Sequence, residues 1–210
     1  MSPATNLGSL AMPALYCMNK LSENDQAELF SLLQQVIENG INYQQCLLPT
    51  PPSSQALLQQ AASFVTIYIT GELRGCIGTC KAKEPLWLSV CKSAYSSAFD
   101  DHRFNRLQSE ELSQLSFDIS ILSELSAIVN IGEQALLDEL VPYEDGIILK
   151  EGPYQAVFLP AVWRNLNRPD SFIYALKRKA GWPENYWSKN IEIFRFTTQL
   201  YTLNNIKWSK

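Results

Sequence analysis

One stretch limits the architecture more than any other. Residues Phe64 to Thr70 alternate apolar and polar positions, with β-branched or aromatic side chains throughout, which predicts a strand with Val65, Ile67 and Ile69 on one face. Thr70-Gly71-Glu72 then reads as a tight turn, so Leu73-Arg74-Gly75-Cys76-Ile77-Gly78-Thr79 is expected to return as the second strand of a hairpin. A period of two places Arg74, Cys76, Gly78 and Cys80 on one face of that strand and Leu73, Ile77 and Thr79 on the other. Arg74 and Cys76 are therefore expected side by side, about 7 Å apart along the strand.

Helices flank this hairpin in the sequence pattern. Ser22 with Asn24-Asp25 is an N-cap signal ahead of Leu29, Leu33, Val36 and Ile37 at helical spacing, and Asn39-Gly40 is expected to close that helix. Pro49, Pro51 and Pro52 mark a loop before a short helix over about residues 55–62. Pro85 opens a helix whose stripe is Leu86, Val90, Ala94 and Ala98, and the charged run Asp100 to Phe104 ends it. Downstream come a helical turn at Ser109-Glu110-Glu111 and a strand through Phe117, Ile119 and Ile121. A helix over residues 132–140 and a hairpin of residues 146–150 with 154–159 follow. Helices over 160–166 and 171–180 and a last strand over about 191–198 complete the pattern. Hairpins interleaved with helices make the class α+β, with an antiparallel or mixed sheet and flanking helices. Residues 1–20 read as a weakly ordered arm and residues 21–210 as a single domain.

Composition excludes several chemistries. The net charge of −4 gives no general pull towards polyanions, and no apolar stretch reaches the roughly 20 residues of a membrane span. No Lys or Arg precedes the modest apolar run of the first 16 residues, which argues against a secretory signal. Five cysteines, an odd number, read as reduced thiols, so a cytoplasmic protein is expected. With a single histidine, His102, a mixed His and Cys metal site or a histidine-based triad must use that residue or do without one.

The run LRGCIGT, Phe64-Val65-Thr66 before it, and Ala98-Phe99-Asp100 with Arg103-Phe104 after it resemble the AMMECR domain family, whose prokaryotic members include the AmmeMemoRadiSam system protein A. Glu110-Glu111-Leu112, Asp118 to Ser123, Gly146-Ile147, Phe158-Leu159-Pro160 with Val162-Trp163, and Lys177 to Gly181 follow in the family's order. The resemblance spans roughly residues 20–205. It implies an α+β fold with a larger and a smaller lobe, the signature run near the cleft between them, and partnership with a Memo-like protein and a radical SAM protein. It supplies no reaction. His102 stands where the family carries a small residue or proline, and Asn105-Arg106 replaces a proline pair, so chemistry that needed His102 would not be the family's.

Within the signature, Cys76 is the nucleophile candidate, with Arg74 favouring the thiolate and the glycines admitting a substrate. The alternative is a small packed residue between glycines required by crowding or a bulge, favoured by the lack of a positioned base. Arg74 binds a carboxylate or phosphate with help from Arg103 and the amides around Gly75, Gly78 and Thr79, or else makes a structural pair with Asp100, Asp101 or Asp118. Asp118 is a further ligand-orienting candidate. Cys76 and Cys80, about 13 Å apart along an extended strand, suit neither a disulfide nor a shared ion, so no metal or other cofactor is assigned. Lys177, Arg178 and Lys179, among Trp163, Phe172, Tyr174 and Trp182, offer a stacking and charge surface for RNA. Two functions are thus weighed. One is an enzyme or enzyme component with an anion-binding cleft at Arg74 and Cys76. The other is a non-catalytic module that binds RNA or protein.

Overall fold

The computed structural model describes residues 19–204, 206 and 208. The arm expected over residues 1–20 therefore lies, apart from Asn19 and Lys20, outside the described residues. In chain order the elements are α1 (Glu23–Tyr43), α2 (Gln55–Leu58), β1 (Ser63–Ile69), β2 (Glu72–Gly78), α3 (Leu86–Phe99), β3 (Leu115–Leu122), β4 (Ser126–Ile128), α4 (Glu133–Glu139), β5 (Gly146–Glu151), β6 (Tyr154–Phe158), α5 (Pro169–Lys179), β7 (Glu192–Phe196) and β8 (Thr198–Leu203). Single 3-10 segments, Ser109–Gln114 and Pro160–Arg164, lead into β3 and α5. The fold is α+β, and its strands form two four-stranded sheets ordered β2-β1-β3-β8 and β4-β7-β5-β6, with every pairing antiparallel.

α1 begins as its sequence asks. The Ser22 hydroxyl accepts the Asp25 N–H at 3.2 Å while the Asp25 carboxylate accepts the Ser22 N–H, a reciprocal cap that stabilises the first turn by about 1 kcal/mol. Its end differs from expectation. The helix runs through Gly40 to Tyr43, and Gln44 takes the left-handed conformation, φ 55°. Gly40 is there because a Cβ would meet the Phe99 ring at 2.2 Å, so it brings α1 against α3 rather than closing a turn.

Val65 and Ile67 of β1 are fully buried with Phe117 and Ile119 of β3, beneath α1 and α3. Each such aliphatic side chain contributes roughly 1.5–3 kcal/mol on leaving water. A separate core under the second sheet gathers Ile147, Leu149, Trp163, Phe172 and Ile193, with the Trp163 and Phe172 rings stacked at 3.9 Å. A small third cluster, Ala62, Leu122, Ile148 and Phe196, takes residues from both sheets and joins them.

The strand expected over about 191–198 is β7, and β8 is a further strand beyond those expected. β7 completes the second sheet, and after Thr197 the chain continues as β8 back to β3 of the first sheet. The helix expected over residues 160–166 is a single 3-10 segment, and β4 carries too few residues to show an alternation. Among the described residues no helix is long and apolar enough to cross a membrane.

Candidate functional site

The hairpin of β1 and β2 closes through Thr70 and Gly71, both at positive φ (50° and 88°), the arrangement that matches the twist of the flanking strands. Its ladder is interrupted. Ile67 faces Gly75 but Tyr68 faces Leu73, so Arg74 is an extra, unpaired residue, a β-bulge. One inserted residue reverses the alternation expected along β2. Leu73 and Cys76 line the same pocket, and Arg74 leaves it. The expected pairing of Arg74 with Cys76 on one face is thus corrected by the bulge.

Arg74 instead makes a bidentate pair with Glu111, Nε to Oε1 at 2.8 Å and Nη2 to Oε2 at 3.1 Å, and its guanidinium lies 5.9 Å from the Phe104 ring centre. Its partner is none of the three aspartates the sequence suggested. Nη1 is buried without a hydrogen-bond partner. His102 is exposed and borders this outer hollow with Arg74 and Arg106, away from Cys76.

The glycines of the signature are occupied by the protein's own chain. A Cβ on Gly75 would lie 2.1 Å from the Ser97 carbonyl oxygen of α3, and one on Gly78 would lie 2.3 Å from the Ser63 carbonyl oxygen. They admit a helix and a neighbouring strand, not a substrate. Ser97 completes this seam: its hydroxyl accepts the Ile77 N–H and donates to the Val65 carbonyl, both at 2.8 Å. Thr79 donates its N–H to the Ser63 carbonyl at 2.9 Å and lies outside the Cys76 pocket.

Cys76 sits opposite Thr66, whose hydroxyl donates to Sγ at 3.3 Å. β2 is an edge strand, and at Cys76 its outward backbone groups are met by an ion pair instead of another strand. The Asp101 Oδ2 accepts the Cys76 N–H at 2.9 Å, and Arg103 Nη2 donates to the Cys76 carbonyl at 3.3 Å. The pair itself is bidentate, Arg103 Nε to Oδ1 at 2.9 Å and Nη2 to Oδ2 at 2.6 Å. The Arg103 hydrogen bonds hold the buried Asp101 carboxyl down to about 2 against its burial.

Over this edge lies a pocket of about 490 Å³, within the size range of small-molecule sites. Its floor is Thr66, Tyr68 and Cys76. Phe64, Leu73, Phe158, Leu159 and Val162 form apolar walls. Its charged lining is Arg103, Lys179 and the Asp101 carboxylate that Arg103 pairs with, and Asn165 adds a neutral amide that can donate or accept. Arg103 spends Nε and Nη2 on Asp101 and Cys76, which leaves Nη1. Lys179 donates one hydrogen bond to the Val157 carbonyl at 2.9 Å and lies 5.3 Å from the Phe158 ring centre, with no carboxylate partner among the described residues. Although Lys179 as a whole is exposed, burial of its ammonium end lowers its pKa. Burial also pushes the Cys76 thiol up, outweighing the Thr66 hydrogen bond and the nearby Arg103 and Lys179 charges. The thiol is protonated at neutral pH, which removes the expected activation. Tyr68 is pushed up to about 12, first by burial and then by the Asp118 carboxylate.

Asp118 lies one strand further across the same face, opposite Thr66, and accepts the Thr202 hydroxyl at 2.6 Å. It buttresses Tyr68 and does not line the pocket. Lys177, Arg178 and Lys179 do not form one surface. Lys177 is 1% exposed and bonds Glu133 at 2.5 Å, Arg178 points to solvent, and Lys179 reaches the pocket. Cys80 borders a different hollow, and Cys46, Cys76, Cys80 and Cys91 are all free thiols. Among the described residues no three His, Cys, Asp or Glu side chains cluster as a metal site would need.

Sequence reasoning missed Thr66, Tyr68, Leu73, Asp101 and Lys179 as pocket residues. Thr66 was not recoverable by pairing the hairpin outward from Thr70-Gly71, since a regular ladder sets Val65 opposite Cys76 and only the bulge at Arg74 brings Thr66 there. Nor was Lys179, whose place depends on how α5 meets β6.

Comparison with known proteins follows the same lines. The family model described as AMMECR1 matches residues 30–201. A protein of Thermotoga maritima is 32% identical over 169 residues, which is 79% of this chain and 92% of that protein. A protein of Nanoarchaeum equitans is 32% identical over 151 residues, 70% of this chain and 83% of that one. The crystal structure of the uncharacterised protein PH0010 from Pyrococcus horikoshii superposes with a TM-score of 0.77 at 26% identity, covering 83% of this chain and 89% of that one.

Proposed function

The chain belongs to the AMMECR1 family, and from that premise we propose that its pocket over Cys76 binds a small organic anion with an apolar arm. The observation that carries this reading is the pairing of two cations with apolar walls. Arg103 Nη1 and the Lys179 ammonium keep uncommitted N–H donors beside Phe64, Phe158 and Val162. A carboxylate suits those donors, because charge-assisted bonds to a guanidinium N–H and an ammonium are among the stronger polar contacts. The anion-binding role expected of Arg74 is assigned instead to Arg103 and Lys179.

On this reading the two sheets with their helices are a larger and a smaller lobe, and the pocket is the cleft between them. Cys76 acts as a neutral, hydrogen-bonded floor for the ligand, not as an attacking thiolate. The chain serves as the ligand-holding component of an enzyme system, and the Memo-like and radical SAM partners implied by the resemblance supply the chemistry. The RNA-binding alternative draws no support from the three basic residues, since they point three different ways.

Calorimetry with 3-phenylpropionate and its uncharged amide tests the assignment. The acid is expected to bind and the amide not, and Lys179→Met is expected to weaken the acid by about tenfold. Equal binding of acid and amide, or indifference to Lys179→Met, would contradict it.

A further inference from the structure

On the other side of β2 from the Cys76 pocket, a hollow of about 350 Å³ lies between the end of that strand and α3. Ile77, Gly78 and Thr79 form one wall, and Ser89, Ser93 and Ser96 of α3 form the other. Lys81, Lys83 and Lys92 stand at the rim. Two of the three serines are committed. Ser89 bonds the Ser63 hydroxyl at 2.7 Å, and Ser96 donates to Asp100 at 3.3 Å. Ser93 is different. It is only 6% exposed, it borders the hollow, and its hydroxyl has no hydrogen-bond partner among the described residues. Its oxygen is not sealed from solvent, so it stands in the hollow as a free donor.

The charge around the hollow is one-sided. Lys92 pairs with Glu84 at 2.5 Å, but Lys81 and Lys83 have no acidic partner among the described residues. That excess of two positive charges sits on a chain whose net charge is −4. The lysine loop is also held in place. Lys81 donates its N–H to the Thr79 hydroxyl at 3.1 Å, Lys83 donates to the Lys81 carbonyl at 3.0 Å, and the Glu84 carbonyl accepts the Ala61 N–H at 3.2 Å.

We propose that this hollow is a second ligand site, which binds the phosphate group of a small phosphorylated compound between Ser93 and the Lys81 and Lys83 ammonium groups. A phosphate monoester carries close to two negative charges at neutral pH, matching the two unpaired lysines, and its oxygens can accept the hydrogen bond of the Ser93 hydroxyl. The site is independent of the Cys76 pocket and shares no lining residue with it.

The test is a titration of the full chain, followed in 1H–15N spectra, with inorganic phosphate and with glycerol 3-phosphate, against sodium chloride at equal ionic strength. Saturable shifts are expected at Gly78, Thr79 and Ser93 with at least one phosphate probe and not with chloride. Ser93→Ala, which keeps a good helix former, is expected to weaken binding by about tenfold. Lys81→Ala with Lys83→Ala is expected to abolish it, and Lys179→Met to leave it unchanged. Shifts reproduced by chloride, shifts that Ser93→Ala leaves intact, or no saturable shift with either phosphate probe would each overturn the assignment.

Discussion

Replacing Asp101 with Asn tests how the signature strand is held. The carboxylate accepts the Cys76 N–H and both faces of the Arg103 fork, and only 6% of its side chain is exposed. These bonds depress its pKa from 3.8 to about 2. A group whose pKa is lowered on folding contributes stability above its unfolded value, and that contribution fades as the pH falls through the folded value. The shift corresponds to roughly 2–3 kcal/mol at about 1.4 kcal/mol per unit. Arg103 is 56% exposed and partly screened, so the expected contribution is about 1–2 kcal/mol. Urea unfolding of the natural chain and of Asp101→Asn, measured from pH 7 to pH 2, gives the difference directly. Other depressed carboxylates, Glu111 and Asp170 among them, titrate in both proteins and cancel. The two proteins are expected to differ by about 1–2 kcal/mol above pH 5 and to converge between about pH 4 and pH 2. Curves that stay parallel down to pH 2 would refute the linkage, as would an Asp101 carboxyl that titrates near 4 by NMR.

Two further outcomes follow from the same geometry. Gly75→Ala sets a methyl 2.1 Å from the Ser97 carbonyl and must displace backbone, so a loss of about 2–3 kcal/mol is expected from urea midpoints. Gly71→Ala meets nothing within 4 Å and suffers only its positive φ, about 1 kcal/mol, so equal losses at the two positions would contradict the close-approach argument. Iodoacetamide should label Cys76 more slowly than a free peptide thiol at pH 7 and accelerate as the pH rises towards 10, because burial raises its pKa. Faster labelling at neutral pH, read by peptide mapping, would restore the nucleophile.

The parts of this fold legible in the sequence are those governed by local pattern. The Ser22 cap, the alternation of Val65 and Ile67, and the Thr70-Gly71 turn each depend on residues within a few positions. The failures share a cause. The bulge at Arg74 changes the register of a pair, and register depends on what both strands pack against. Gly40 looked like a helix stop because an adjacent Phe99 is invisible at that range. β8 went unread because only Thr197 separates it from the expected strand, and the two runs belong to different sheets. Lys177, Arg178 and Lys179 read as a patch, yet neighbours on a helix point about 100° apart.

The central claim is that the anion site lies at Arg103 and Lys179 and not at Arg74. The most direct measurement is a 1H–15N titration with 3-phenylpropionate that asks which amides move. The predicted result is saturable shifts at Thr66, Cys76, Val157 and Phe158, with Glu111 and Arg106 unmoved. Shifts centred on Arg74, Arg106 and Glu111, or none at Cys76, would contradict it.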